Sequence, residues 1–132
     1  MKSPRLLAMR KARGTAARLA GRRREILAAL WLMAKGYRIL GFRLKTPQAE
    51  IDLLAQRGAV LAVVEVKSRR TLASALEAVA PAQRARLRRA GQALASRRPA
   101  MVRLNVRLDL IALAPGKMPR HIPDAWGEDA LA

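Results

Sequence analysis

The spacing of apolar and polar positions divides the chain into six predicted elements. Between residues 15 and 35, Leu19, Ile26, Leu30 and Met33 recur at helical spacing and draw one apolar stripe. Gly36 is a natural stop. At helical pitch Glu25 falls about 100° from the centre of that stripe, on its flank. Residues 37–44 read as a strand, and Thr46-Pro47-Gln48 as a turn. Residues 50–56 read as a second strand, with Ile51, Leu53 and Ala55 on one face and Glu50, Asp52 and Leu54 on the other. Arg57-Gly58 marks a tight turn. Residues 60–66 are almost wholly apolar, as in a central strand covered on both faces. That strand runs out through Glu65-Val66-Lys67, after which Ser68-Arg69-Arg70 turns outward. Residues 82–98 form a second helix, with Pro81 near its N-terminus and Gln83, Leu87, Ala90 and Leu94 on one side. Pro99 ends it, and residues 102–113 alternate as a last strand.

The order is helix, three strands, helix, strand. Tight turns make the first three strands an antiparallel meander. The second helix is a crossover that lets the last strand lie parallel to a neighbour. The expected class is α/β, a mixed sheet flanked by helices, with the domain spanning residues 15–113. Residues 1–14 hold Lys2, Arg5, Arg10, Lys11 and Arg13 without an acid and are expected as a mobile basic arm. Residues 114–132 contain Pro115, Pro119 and Pro123 and are expected as a mostly irregular tail.

Composition changes this picture in three ways. The first is charge: 27 Lys and Arg face 9 Asp and Glu, a formal +18 over 132 residues. Such a balance bears on partners rather than on fold, and nucleic acid is the commonest polyanion. An anionic membrane surface or a ribosomal assembly role is compatible with charge alone. Most cations are Arg, whose planar fork suits phosphate oxygens, although an arginine-favouring coding bias accounts for the preference equally well. The arginines at 22–24, 69–70, 84–89 and 97–98, together with Arg43, are candidates for a phosphate-binding surface. Among them Arg22, Arg23, Arg43, Arg69, Arg70, Arg84 and Arg88 are the candidates for nucleic-acid contact. The bland alternative is a solvated basic surface.

The second is ligand chemistry. The chain has no cysteine and one histidine, His121, so a metal must be held mainly by oxygen ligands. His121 is expected in a loop, Trp31 in the core or an interface, and Trp126 either packed back on the domain or serving a partner. The third is targeting. The longest apolar run, residues 26–34, is far short of the roughly 20 residues of a membrane span. Leu6-Leu7-Ala8-Met9 is too brief for a secretory segment, so a cytoplasmic protein without a membrane partner is expected.

The acids are where chemistry concentrates. Three of the nine, Glu50, Asp52 and Glu65, lie in or beside strongly apolar strands. The hairpin through Arg57-Gly58 brings Asp52 and Glu65 near each other across the ladder. Two carboxylates that close repel unless a proton or cation lies between them. Mg²⁺ (or Mn²⁺) suits oxygen ligands and keeps waters and substrate phosphate in its shell. Glu65 and Lys67 share a face, so the lysine would stand beside such a site, able to orient a water or stabilise charge on a phosphate. With five Glu and six Lys, a chance Glu-x-Lys is expected in roughly one such chain in four. The position at the end of a buried strand, opposite an acid pair, is what gives the tripeptide weight. Two exposed sheet ends with ordinary salt bridges remain the alternative.

Four segments carry a resemblance: Gly36-Tyr37-Arg38-Ile39-Leu40, then Ala49-Glu50-Ile51-Asp52-Leu53-Leu54-Ala55, then Val63-Val64-Glu65-Val66-Lys67-Ser68-Arg69, and Arg107-Leu108-Asp109-Leu110-Ile111. Together they resemble the bacterial YraN-like family over about residues 18–113. That family is assigned to the restriction-endonuclease-like superfamily and is related in pattern to archaeal Holliday-junction resolvases. The resemblance implies a restriction-endonuclease-like core, with Asp52 and Glu65 as metal ligands and Glu50 a weaker candidate. It implies Lys67 as the catalytic lysine and Glu25 reaching the site from the first helix. Without it, Glu25 reads as a surface partner for neighbouring arginines. It also implies dimerisation. The periphery departs from the family pattern: Ala49 and Arg24 replace glycines, Gln83 replaces a lysine, and Gly41-Phe42-Arg43 replaces an Asn-x-Arg. The expected function is a metal-dependent endonuclease acting on DNA, with branched or junction DNA as the implied substrate. The alternatives are a non-catalytic nucleic-acid-binding module on the same scaffold and, more remotely, a basic assembly factor.

Overall fold

The computed structural model describes residues 3–127. Helix α1 (Pro4–Ala34) is followed by strands β1 (Arg38–Lys45), β2 (Glu50–Arg57) and β3 (Val60–Ser68). Helices α2 (Leu72–Glu77) and α3 (Pro81–Arg97) lead to β4 (Asn105–Leu113) and a short β5 (Arg120–Ile122). The five strands form one sheet in the order β1-β2-β3-β4-β5. The pairs β1–β2, β2–β3 and β4–β5 are antiparallel, and β3–β4 is parallel. The meander and the helical crossover thus form as their sequence patterns require, in an α/β fold with a mixed sheet. The third strand is central, as its unbroken apolar run demands.

Helix α1 begins at Pro4, not near residue 15, so residues 4–14 of the expected arm are helical. The Ser3 side chain accepts from Leu6 N, Pro4 opens the first turn, and the Ala-, Arg- and Leu-rich segment that follows favours helix. The helix stops at Gly36, whose φ of +91° suits glycine; Gly36 N donates to Met33 O and Tyr37 N to Leu32 O. The expected apolar stripe is not the buried face. Leu19, Ile26, Leu30 and Met33 are exposed, whereas Ala28, Ala29 and Leu32 are buried against the sheet. Small side chains let the helix axis approach closely, and that contact outweighs the bulkier stripe.

Two hydrophobic layers sandwich the sheet. One groups Ala28, Ala29 and Leu32 of α1 with Leu53, Ala55, Ala62, Val64 and Ile111. The other groups Leu87, Ala90 and Ala95 of α3 with Ile51, Leu54, Leu61, Val63, Leu108 and Leu110. Strict alternation in β2 therefore fails between Ile51 and Leu53, which pack into opposite layers instead of sharing a face. The switch falls on Asp52. Helix α3 lies very close to the sheet at Gly91, where a Cβ would stand 2.6 Å from Val63 Cγ2 and 2.9 Å from Val106 Cγ1.

The region after residue 113 holds more order than its prolines indicate. β5 pairs with β4, and Trp126 is buried, with its indole N–H donating to Leu76 O. Residues 128–132 of the expected tail, and Met1 and Lys2 of the expected arm, lie outside the described residues. No helix among the described residues is long and apolar enough to cross a membrane.

Candidate functional site

The site grows from irregularities in two adjacent ladders. Between β2 and β3 the pairing runs from Arg57–Val60 to Leu53–Val64 and goes no further. Beyond it the Asp52 carboxylate takes over, with Oδ2 accepting the Val66 N–H at 2.9 Å. A side chain thus fills a ladder position, which fixes the carboxylate and holds the end of β3 at the same time. In β1 the register shifts between Ile39 and Gly41, and Arg43 adopts φ +47°, a left-handed conformation unusual for a non-glycine residue. Such strain persists only where surrounding contacts enforce it. Here the Arg43 Nε lies 2.8 Å from both carboxylate oxygens of Glu25.

These distortions open a cleft of about 290 Å³ between α1 and the sheet, lined by Glu25, Arg43, Glu50, Asp52, Val66 and Lys67 with Gly21 and Arg24. A second, more basic cleft of about 390 Å³ shares Arg24, Val66 and Lys67 with it and continues to Ser68 and Arg69. Glu25 and Arg43 also border a groove that includes Arg22, Ile26 and Phe42.

Glu65 is almost fully buried, and its Oε2 lies 3.7 Å from Lys67 Nζ. Its carboxyl is pushed up to about 8, chiefly by burial and then by the charge of Asp52, with Lys67 pulling the other way. Asp52 is also raised by burial, partly offset by the Val66 N–H and by Lys67. The two carboxyls interact directly, so at neutral pH the pair retains a proton or needs a second cation besides Lys67.

The structure thus brings Asp52, Glu65 and Lys67 together; Asp52 and Lys67 line the cleft with Glu25 and Glu50, whereas Glu65 is buried and does not line it. Glu50 is exposed, and Glu25 is committed to Arg43. Among the described residues, no three acids or histidines form a ready-made metal-binding group. The arginine candidates divide. Arg22 and Arg69 border clefts, and Arg23 and Arg70 are exposed nearby in sequence. Arg43 has its charge turned inward on Glu25. Arg84 and Arg88 lie on α3, across the sheet from α1. There the Arg84 guanidinium stacks 5.2 Å from the Trp126 ring and Arg88 donates to Trp126 O.

A second polar cluster was not visible as a unit in the sequence. Asp109, fully buried, accepts Arg107 Nε at 2.7 Å and Nη2 at 2.8 Å, and the Asp124 N–H at 3.0 Å. His121 Nε2 lies 2.8 Å from Asp109 Oδ2, and its Nδ1 meets Lys35 Nζ. An ammonium only donates, so Nδ1 accepts and the ring proton sits on Nε2, toward Asp109. Burial alone would raise Asp109, but hydrogen bonds from His121, Arg107 and the Asp124 N–H hold it below the usual range. Tyr37 completes the cluster, its hydroxyl bonded to Arg107 and its ring edge-on to His121. The expected loop histidine is therefore a strand residue whose side chain is buried. An acid in the middle of the apolar run 108–113 was the signal that a partner had to exist.

Known proteins now place the chain. The profile described as "Uncharacterised protein family UPF0102" matches residues 24–113. The chain belongs to this family. A UPF0102 protein of Caulobacter vibrioides (strain NA1000 / CB15N) is 70% identical over 119 residues, covering 90% of this chain and 95% of the relative. A UPF0102 protein of Caulobacter sp. (strain K31) is 68% identical over 123 residues, covering 93% and 88%. The UPF0102 protein amb4503 of Paramagnetospirillum magneticum is 49% identical over 118 residues, covering 86% and 92%. The matched span of the family runs from Arg24 to Leu113 and so takes in Glu25, Asp52, Glu65 and Lys67.

Proposed function

We propose that this protein is a divalent-cation-dependent nuclease that hydrolyses phosphodiester bonds of DNA, built on a restriction-endonuclease-like core. The observation that carries the reading is the cluster of Asp52, Glu65 and Lys67, in which Asp52 and Lys67 line a cleft whose continuation is basic and Glu65 is buried against them. Two interacting carboxyls, Glu65 buried and Asp52 half-buried, with a single nearby ammonium, hold more negative charge than that ammonium offsets. That donor set fits Mg²⁺ or Mn²⁺, which commonly use one or two protein carboxylates and complete their shells with water and phosphate. Asp52 and Glu65 would hold the cation, with Glu50 within the same cleft. When bound, the cation supplies positive charge that offsets the charge developing on the phosphoryl group.

The remaining roles belong to the chain. The Val66 N–H fixes the Asp52 carboxylate before substrate arrives. Lys67 presents an ammonium beside Glu65 that donates to a phosphoryl oxygen or to the attacking water. Arg24 and Arg69 in the adjoining cleft hold the neighbouring phosphate of the strand. Glu25 positions Arg43 and keeps the β1 distortion that opens the cleft.

The reading is tested by nicking of supercoiled plasmid and of a four-way junction with Mg²⁺ or Mn²⁺. Cutting is expected from the wild type and should be lost in Asp52→Asn, Glu65→Gln and Lys67→Ala. Cutting that survives in all three variants sinks the assignment. A second reading, a nucleic-acid-binding module without cleavage, is favoured by the closed Glu25–Arg43 pair, which withholds a third carboxylate. It stands if the wild type binds DNA and never cuts under either metal.

A further inference from the structure

The first four turns of α1 carry information that the cleft does not use. Every residue from 3 to 19 is exposed, so this part of the helix has no contact with the body that buries it. Residues 4–20 hold Arg5, Arg10, Lys11, Arg13 and Arg18 and no acid. No internal ion pair can offset their repulsion, and pairs such as Arg10 and Arg13 are helical neighbours of like charge. The other long side chains are few. Ala8, Ala12, Gly14, Ala16 and Ala17 keep the rod slim.

The distribution of these cations decides between anionic partners. At helical pitch, Arg5, Arg13, Arg10, Arg18 and Lys11 fall at about 0°, 80°, 140°, 220° and 240° round the axis. Leu6, Leu7, Met9 and Leu19 are scattered among them, at about 100°, 200°, 40° and 320°. A flat membrane surface selects a helix with one apolar and one basic face, which this segment lacks. A duplex major groove, about 12 Å wide, accepts a helix and presents phosphates along both of its walls. A slim rod with cations on every side matches that environment. Its 17 residues span about 25 Å, the length of roughly seven base pairs.

We propose that residues 4–20 of α1 form a helical arm that lies in the major groove of duplex DNA. There it touches phosphates on both walls and anchors the duplex beside the Asp52–Glu65–Lys67 cleft. The inference rests on the nucleic-acid reading of that cleft, but it concerns a separate surface. The arm meets phosphate rather than bases, so it adds affinity without sequence preference.

The test is fluorescence anisotropy with a labelled 20-base-pair duplex in EDTA across a salt series. Two variants are compared with the wild type. In the first, Arg5, Arg10, Lys11 and Arg13 are replaced by Gln. The second, Ala12→Pro, keeps every cation and breaks the rod. For every phosphate that is no longer neutralised, the slope of log K against log salt should become less negative by about 0.9. The slope of the quadruple variant should therefore be shallower by up to about 3.6, with affinity down at least roughly tenfold at low salt. Ala12→Pro should also weaken binding, because an interrupted helix cannot follow the groove. An unchanged slope in the quadruple variant overturns the proposal. So does undiminished binding by Ala12→Pro, or arm-dependent binding to phosphatidylglycerol vesicles in place of the duplex. Plasmid nicking is read separately. Arm-dependent duplex binding without any cutting leaves the arm standing and removes the nuclease reading, whereas cutting with an arm-independent slope does the reverse.

Discussion

Glu65 is held in an unfavourable setting, and the sign of its effect follows from the direction of its shift. Its carboxyl stays protonated in the folded chain up to about pH 8 but ionises near 4.5 once unfolded. The cation-free protein therefore loses stability as pH rises from about 4.5 to 8, because only the unfolded chain gives up that proton freely. Glu65→Gln removes the penalty. In EDTA it should raise the unfolding free energy at pH 7.5, by an amount on the order of a few kcal/mol, and change it little at pH 4. Urea unfolding at the two pH values checks this, and a variant less stable than wild type at pH 7.5 would refute the strained-acid view. The same shift predicts a proton released when Mg²⁺ binds near pH 7. Calorimetric titration in two buffers of different ionisation enthalpy should show it, with affinity rising from pH 6 to pH 8. Asp109 behaves in the opposite way. Its carboxylate is stabilised, so that contribution is present above its ordinary value of 3.8 and is lost only as pH falls through the lower folded value. Asp109→Ala leaves the half-buried Arg107 without its counter-charge and should cost on the order of 3 kcal/mol at neutral pH, measured by urea unfolding.

At the scale of elements, the sequence predicted most where one period dominates. β3 was legible because an unbroken apolar run has few alternatives, and α3 because Pro81 and Pro99 bracket it. The misreadings have physical causes. Alternation assigned Ile51 and Leu53 to one face, but the Asp52 side chain replaces a backbone partner and the strand changes face there. That irregularity is the site itself, so the pattern failed where function is proposed. In α1 the bulky stripe was conspicuous, yet the buried face is made of Ala28, Ala29 and Leu32, since close approach matters more than side-chain size. His121 gave no periodic signal because β5 is only three residues long. Gly91 offers a test of close packing on the other layer. Gly91→Ala gains about 1 kcal/mol of helix propensity. It also places a methyl within 2.6 Å of a stiff valine. Overpacking typically costs about 1–3 kcal/mol, so net destabilisation is expected in thermal melts. A stabilised variant would mean that α3 can lift from the sheet without loss.

At the scale of the whole molecule, charge and architecture divide the labour. The α1 side of the sheet carries the clefts, while Arg84 and Arg88 on the other side fasten the segment around Trp126. The formal +18 is therefore not one uniform coat. Some cations, such as Arg43, Arg84, Arg88 and Arg107, are engaged inside the fold, and others face solvent around the cleft and along α1. If the acid pair holds a cation, Mg²⁺ should raise the melting temperature, and go on raising it with the logarithm of its concentration above Kd, and Asp52→Asn should abolish the rise. A thermal shift of equal size in that variant would place the cation elsewhere.

The parallel pairing of β3 with β4 has a consequence for biosynthesis. All nine positions of β3 find their β4 partners some 45 residues later in the chain. While the ribosome is still making α3, the most apolar strand of the protein has an open edge and no neighbour on that side. Such an edge is a template for pairing with other chains. A polypeptide that stalls or is cut before residue 105 should therefore precipitate with its own kind rather than remain a soluble fragment.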